Sequence, residues 1–420
     1  MQQVNKVFEL IEAGEVEKGL AMLENIEQDA NHDTKYTIAE TYFELGHIDK
    51  AKNIIDELLM LYPDEGSLYA FAAELLIDLG EEDEAIEMLL EIKEEDPAFL
   101  QGQLLLADLY QMQGLDEVAE QKLLFASKLA PEEPIIAYGL GQFYLERGDY
   151  NKSIQFFKKV LQSGETFEHV SINLCLAEAY SATGQFEDAL GYYEKGLKER
   201  TEMSAVFGYA YTAYQLEMFP LAIEQFKIVK EMDHEFSSLY PYLAKAYEAE
   251  HFLDKAMTVL EDGLKVDEYN EELYVHAGKL SFKMKDPEKG EDYLRKVIAI
   301  NPSHFEAVRT LAAYLKHEEK YEDLLELVSH IKDFGETDPL LDWYEASALK
   351  EEDDYEKASV IYEEIQSQFQ HDPDFLEEYG HFLLEMGERD RAIVELTKAL
   401  TLDKGRIHIS EFITELEQNY

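Results

Sequence analysis

The fold is decided by residues 32–65, HDTKYTIAETYFELGHIDKAKNIIDELLMLYPDE, and residues 66–99, GSLYAFAAELLIDLGEEDEAIEMLLEIKEEDPAF, which repeat one pattern. Each stretch carries a small residue, a glycine and a second small residue at the same places. These are Ala39, Gly46 and Ala51 in the first stretch and Ala73, Gly80 and Ala85 in the second. A period of 34 residues is typical of stacked helical hairpins, not of a globular core around a cleft.

The second small residue returns along almost the whole chain, and only Leu324 replaces it with a large one. Its positions are Gly19, Ala51, Ala85, Ala119, Ser153, Ala189, Ala222, Ala256, Gly290, Ala358 and Ala392. Four positions later a large apolar residue follows: Leu23, Ile55, Leu89, Leu123, Phe157, Tyr193, Phe226, Leu260, Leu294, Val328, Tyr362 and Leu396. Small residues let helix backbones approach each other, and the large residues fill the adjoining holes.

Three further columns keep the same register. The first small residue of each repeat lies at Ala39, Ala73, Ala107, Gly141, Ala177, Ala210, Ala244, Gly278, Ala312, Ala346 and Gly380. Turn glycines stand at Gly14, Gly46, Gly80, Gly114, Gly148, Gly184 and Gly387, and prolines end helices at Pro63, Pro97, Pro131 and Pro302. Glycine adopts the left-handed conformation that a tight turn between helices uses.

These columns resemble the tetratricopeptide repeat (TPR) family, a 34-residue helix–turn–helix unit. More narrowly, the chain is similar to multi-repeat proteins of Gram-positive bacteria of the YpiA type. The resemblance implies an all-α, right-handed superhelical solenoid of about twelve units over residues 1–405, with a capping helix over 406–420. Three departures stand out. The only tryptophan, Trp343, lies one position off the consensus column. The seventh to eleventh repeats lack the turn glycine, and in the tenth repeat Leu324 replaces the second small residue.

The chain is strongly acidic, with 90 Asp and Glu against 37 Lys and Arg and a net charge of −53. Direct binding to nucleic acid or anionic lipid is disfavoured, because phosphate contacts need Lys and Arg. Two interpretations of the charge remain open. It keeps a long repeat surface soluble and monomeric, or it attracts basic protein surfaces such as those of the transcription or translation machinery.

In the TPR family the concave groove is lined mainly by the first helix of each unit, helix A, and the resemblance carries that groove onto this chain. Its predicted first half is acidic, amide or aromatic: Tyr36, Glu40, Glu74, Asp108, Tyr138, Gln142, Glu178, Phe207, Tyr211 and Tyr214. Its second half contains basic residues: Lys245, Lys279, Lys283, Arg309 and Lys316. Aromatic side chains would supply contact area, and charges would set direction and choice of partner. Alternatively, the aromatic residues belong to the core and the acids are merely solvated.

Catalytic chemistry is not supported. The sequence contains no phosphate-binding loop, dinucleotide-binding glycine motif, HExxH or GxSxG, and the twelve histidines form no metal-ligand spacing. The lone Cys175 excludes an intramolecular disulfide and is expected to be a buried, inert thiol. The beginning of the sequence has no secretory signal pattern, and no stretch approaches the length of an apolar membrane span. We therefore expect a cytoplasmic protein without cofactor or metal.

The sequence thus predicts a non-catalytic scaffold whose groove binds a basic or extended segment of another protein. One alternative is a structural protein that associates with itself. Another is a regulatory subunit that docks a separate enzyme.

Overall fold

The computed structural model describes residues 6, 7, 10, 15–167 and 169–418. The secondary structure in this part of the chain comprises 24 helices and no strand. The chain forms two compact units, Met1–Gly208 and Tyr209–Tyr420. The all-α repeat fold predicted from the sequence is confirmed.

The first helix of the first unit whose bounds are described, α1, spans Val16–Gln28, and regular pairs of helices follow it. These are α2 His32–Glu44, α3 Ile48–Leu61, α4 Gly66–Leu79, α5 Glu82–Leu90, α6 Phe99–Met112, α7 Asp116–Leu129, α8 Pro134–Glu146, α9 Tyr150–Ser163, α10 Ile172–Ala182 and α11 Phe186–Glu199. The predicted turn residue Gly14 and the unit's first five residues lie outside the described part.

The division between the units falls within α12, Met203–Gln215. The second unit continues with α13 Phe219–Met232, α14 Leu239–Ala249, α15 Leu253–Val266, α16 Glu271–Lys283, α17 Pro287–Ile300, α18 Phe305–His317, α19 Tyr321–Asp333, α20 Pro339–Glu351, α21 Tyr355–Ile365, α22 Pro373–Glu385, α23 Arg389–Leu402 and α24 Ile407–Gln418. Even-numbered helices up to α22 are helices A of the repeats, and odd-numbered helices are helices B. Helix α24 packs on α23 and buries Ile409.

The core repeats one contact between the two helices of each hairpin. The small residue of helix A lies against the large residue of helix B sixteen positions later. A Cβ added to Gly141 would lie 2.5 Å from the Phe157 ring, and one added to Gly380 would lie 2.7 Å from Leu396. Glycine therefore stands where the opposing side chain approaches the backbone too closely for alanine. Leu324, the large exception, is fully buried with the smaller Val328 four positions later.

The turns between helices A and B share one geometry, whether or not they contain glycine. The turn glycines from Gly46 to Gly387 have φ between +72° and +80°. The seventh to eleventh repeats have a residue other than glycine at the same position, with φ between +55° and +64°: Glu217, His251, Lys285, Glu319 and Asp353. The closing hydrogen bond is also the same: the amide of Leu115 donates to Tyr110 at 2.8 Å, and that of Lys320 donates to Leu315 at 2.9 Å. Five turns of the second unit therefore hold non-glycine residues in the left-handed region.

We expect Glu319→Gly to increase the free energy of unfolding by roughly 0.5 kcal/mol, because relief of left-handed strain exceeds the entropy cost of glycine. Gly114→Ala is the matched reverse change, and it should cost about 1 kcal/mol although nothing lies within 4 Å of the added Cβ. Urea denaturation followed by circular dichroism measures both. Equal destabilisation by the two substitutions would contradict the strain argument.

Candidate functional site

Four carboxylates occupy one column of the first unit, the position that directly follows the small residue of helix A. This acidic column consists of Glu40 on α2, Glu74 on α4, Asp108 on α6 and Glu178 on α10. Each preceding small residue is buried in the core, whereas Glu40, Asp108 and Glu178 are exposed and Glu74 is partly exposed. Four hairpins of the first unit therefore present a carboxylate from the same repeat position, and the hairpin of α8 and α9 presents Gln142 there.

The environment of the acidic column disfavours its charge. Partial desolvation by the surrounding protein raises the pKa of Glu74, Asp108 and Glu178, and partial desolvation together with the neighbouring Glu44 raises that of Glu40. Glu74 accepts a hydrogen bond from the amide of Gln101 at 2.9 Å. Among the described residues, no Lys, Arg or His pairs with any of the four carboxylates. The column is thus a line of uncompensated negative charges.

Two cavities lie beside members of this column. One, of about 480 Å³, is lined by Glu40 and Glu74 and by Tyr36, Thr37, Thr41, Phe43, Glu44, Ser67, Phe71 and Gln101. The ring of Tyr36 meets that of Phe71 edge to face, with centroids 5.6 Å apart. Carboxylates and a half-buried tyrosine therefore line the same concavity.

The second cavity, of about 640 Å³, surrounds Glu178. Its walls include Tyr138, Gln142, Glu146, Leu174, Cys175, Tyr193, Arg200, Glu202 and Gly208. The amide of Gln142 donates to the Tyr138 hydroxyl at 2.9 Å. Gly208 leaves room for the Tyr193 hydroxyl, because an added Cβ would lie 2.2 Å from it. This cavity combines aromatic and apolar walls with carboxylates, whereas Asp108 lines neither cavity.

Cys175 is half-buried in the wall of this second cavity. Burial and the nearby Glu178 raise the pKa of its thiol to about 12, so the thiol is protonated at neutral pH. A protonated thiol is a poor nucleophile.

The predicted aromatic residues of the middle repeats lie on α12. Phe207 is half-buried there. In the second unit, Tyr211 and Tyr214 meet Tyr242 with ring centroids 5.2 and 5.6 Å apart. Tyr242, absent from the sequence prediction, stands three residues before Lys245 on α14, and that spacing places both on one helix face.

Each predicted basic residue of the second unit is paired with a carboxylate. Lys245 lies 2.8 Å from Glu272, Lys283 lies 2.8 Å from Glu248, and Arg309 lies 2.5 Å from Asp338. Lys279 pairs with Glu306, and Lys316 lies 2.9 Å from Glu378 over the rings of Trp343 and Tyr344. The local basic charge that the sequence indicates is therefore compensated within the second unit.

One spacing explains this contrast between the units. Lys245 and Lys279 occupy the same repeat position as the acidic column, and their partners Glu272 and Glu306 stand 27 residues later, on the next helix A. The residues 27 positions after the acidic column are Ser67, Gln101, Ile135 and Ala205. None of these carries a positive charge. The sequence signal was therefore available, but it requires comparison of successive repeats.

Neither a metal site nor a membrane span is found in the described part of the chain. No group of three or more His, Cys, Asp or Glu residues there is placed to hold a metal ion. No described helix is long and apolar enough to cross a bilayer.

We expect Asp108→Asn combined with Glu178→Gln to increase the free energy of unfolding at pH 7 by a few tenths of a kcal/mol. The folded-state pKa values of these groups are raised, so their ionisation costs stability above that range and costs nothing below the unfolded-state value near pH 4. The gain should therefore vanish near pH 3. Urea denaturation at both pH values measures it.

Glu291→Gln in the second unit is the matched control. Burial acts to raise the pKa of Glu291, but hydrogen bonds from Lys320 and Arg295 outweigh it and lower the pKa. This variant should lose stability at pH 7. Loss of stability in both the double variant and the control would contradict the uncompensated charge of the acidic column.

Comparison with known proteins identifies the repeats. The models described as YpiA-like tetratricopeptide repeats and YpiA-like C-terminal tetratricopeptide repeats match residues 111–165 and 339–403, and a general tetratricopeptide repeat model matches residues 10–70. The chain is 39% identical over 417 residues to the TPR repeat-containing protein YpiA of Bacillus subtilis, covering 99% of both chains.

More distant matches cover only part of the chain. Lipopolysaccharide assembly protein B of Escherichia coli is 22% identical over 224 residues, which are 52% of this chain and 50% of that protein. The crystal structure of YrrB, described as a TPR protein with an unusual peptide-binding site, matches with a TM-score of 0.40 and 18% identity. That match covers 45% of this chain and 96% of YrrB. The full-length match decides the assignment: the chain belongs to the YpiA-like family of tetratricopeptide repeat proteins.

Proposed function

We propose that this protein is a non-catalytic scaffold whose first unit binds an extended, basic segment of a partner protein along the acidic column. TPR repeats are protein-interaction modules, so binding another protein is the general role of the fold.

The observation that carries the proposal is the difference in charge pairing at one repeat position. Lysines at this position in the second unit have carboxylate partners, whereas the four carboxylates of the first unit have no cationic partner among the described residues. An approaching Lys or Arg would stabilise the negative charge of these partly desolvated carboxylates, because their own chain supplies no cationic partner. A partner's cations would complete the pairing.

The cavities add contact area beside the charges. Tyr36 with Phe71, and Tyr138 with Tyr193, give apolar walls on which the methylene stems of Lys and Arg can pack. Repetition along successive A helices suits an extended segment, because a segment running along the column meets a similar environment at each repeat.

We expect Glu40→Lys, Glu74→Lys and Asp108→Lys together to weaken binding of a basic partner by at least about tenfold, because three attractive contacts become repulsive. The fold should persist, since two of these residues are exposed and the third is partly exposed. The test is a pull-down from host extract at low and high salt, with recovered proteins identified by mass spectrometry. Basic proteins released by salt should be recovered with the wild type and lost with the triple variant.

The control is a second triple variant, Glu81→Lys, Glu82→Lys and Glu84→Lys, which changes the net charge equally at the start of α5. It should retain the partners. Unchanged recovery with the acidic-column variant would refute the proposed site. Recovery of only the protein itself would favour self-association, and recovery of one enzyme at fixed stoichiometry regardless of salt would favour a regulatory subunit.

A further inference from the structure

A second surface of the first unit exposes two adjacent apolar side chains at a pair of positions that no other repeat fills with two apolar residues. Helix α5 ends at Leu90 after nine residues, whereas α3 and α7 each have fourteen. The early end leaves a groove of about 570 Å³ between α5, the start of α6 and α7. This apolar groove is lined by Leu89, Leu90, Ile92, Phe99, Gln103, Gln121, Lys122, Leu124, Phe125 and Lys128.

Its floor is both apolar and exposed. Leu90 is 57% exposed, and Leu124 and Phe125 are each 37% exposed. The rings of Phe99 and Phe125 meet edge to face with centroids 6.2 Å apart. Because Leu124 and Phe125 are adjacent on α7, while its core residues Leu123 and Ala126 are buried, this helix is apolar on its outer side as well.

The other repeats serve as an internal comparison for this feature. The positions of Leu124 and Phe125 hold Glu24 and Asn25, Asp56 and Glu57, Leu90 and Glu91, Lys158 and Lys159, Glu194 and Lys195, Lys227 and Ile228, Glu261 and Asp262, Arg295 and Lys296, Ser329 and His330, Glu363 and Glu364, and Thr397 and Lys398. Only the fourth repeat, formed by α6 and α7, is apolar at both positions. The third repeat is apolar at one of them, Leu90, and this residue lines the same groove. The repeat fold does not require apolar residues here, and more than a third of the surface of Leu124 and of Phe125 remains exposed.

The rim of the apolar groove is basic in an acidic chain. Lys122 and Lys128 line it, and among the described residues neither forms an ion pair or hydrogen bond. They stand six residues apart on α7, which places their Cα atoms about 9 Å apart along the helix axis. Carboxylates on a partner helix at positions i and i+7 have a similar separation, with apolar side chains at i+3 and i+4 between them.

We propose that the apolar groove docks an acidic amphipathic helical segment of a partner protein, with its apolar face on Leu90, Leu124 and Phe125 and its carboxylates at Lys122 and Lys128. The charge preference is the reverse of that of the acidic column. The groove also shares no lining residue with the two cavities beside that column.

The test uses a fluorescein-labelled synthetic peptide of about four helical turns, with Leu and Phe on one face and Glu at its borders, and a second peptide with every Glu replaced by Lys. Fluorescence anisotropy with the full-length protein should give a Kd for the acidic peptide of about 10 µM. Lys122→Glu with Lys128→Glu should weaken it about tenfold and favour the basic peptide. Phe125→Ser should weaken both peptides by removing apolar contact.

Lys195→Glu with Lys198→Glu on α11 is the matched control and should leave binding unchanged, as should the acidic-column triple variant. The proposal is overturned if the acidic peptide fails to bind below about 1 mM, a very weak affinity. It is equally overturned if the groove variants bind the acidic peptide as the wild type does. Displacement of the peptide by laurate at comparable concentration would instead identify the groove as a site for a small anionic amphiphile.

Discussion

The contact between the small residue of helix A and the large residue of helix B recurs along the described part of the chain and holds the two helices of a hairpin together. Where the large residue is Phe157, the opposing position is Gly141, because the ring lies where a Cβ would be. Each repeat solves this packing problem locally, and its solution needs only its neighbours. Side chains outside these columns are therefore not needed to maintain the fold. One position can hold Glu in one repeat and Lys in another without a change of fold, which makes repeat-by-repeat differences informative about binding.

The sequence predicted the core and the repeat register in detail, because both depend on residue size at fixed spacing. Phe157 and Leu396, predicted from their column to fill holes in the core, are both fully buried. The seventh to eleventh repeats lack the turn glycine but keep the same turn. The helices on both sides and the closing hydrogen bond hold residues such as Lys285 and Glu319 in the left-handed region. Packing of neighbouring elements overrides a local preference worth about 1 kcal/mol.

The candidate site was less predictable, because charge acts through pairing that a single column does not reveal. The sequence located the basic residues of the second unit, but their compensation by Glu272, Asp338 and Glu378 depends on which residue the next helix brings opposite. The pair between Lys316 and Glu378 spans 62 residues. No rule based on adjacent repeats would have found it. The apolar groove was missed for another reason: it depends on the early end of α5, a boundary that periodicity alone places poorly.

The net charge of −53 does not by itself predict which partner charge the acidic column or the apolar groove prefers. At the acidic column, the long-range field and the local carboxylates act in the same direction, so the proposed basic partner would be attracted at a distance and paired on contact. At the apolar groove they oppose each other, because the whole chain repels an acidic partner that Lys122 and Lys128 would then bind locally. Affinity at the apolar groove must therefore come mainly from burial of Leu124 and Phe125, with the lysines selecting orientation. At the acidic column, added salt would weaken both the long-range attraction and the local pairing. At the apolar groove it would screen the long-range repulsion as well as the short-range attraction to the lysines, so the two effects of salt oppose each other.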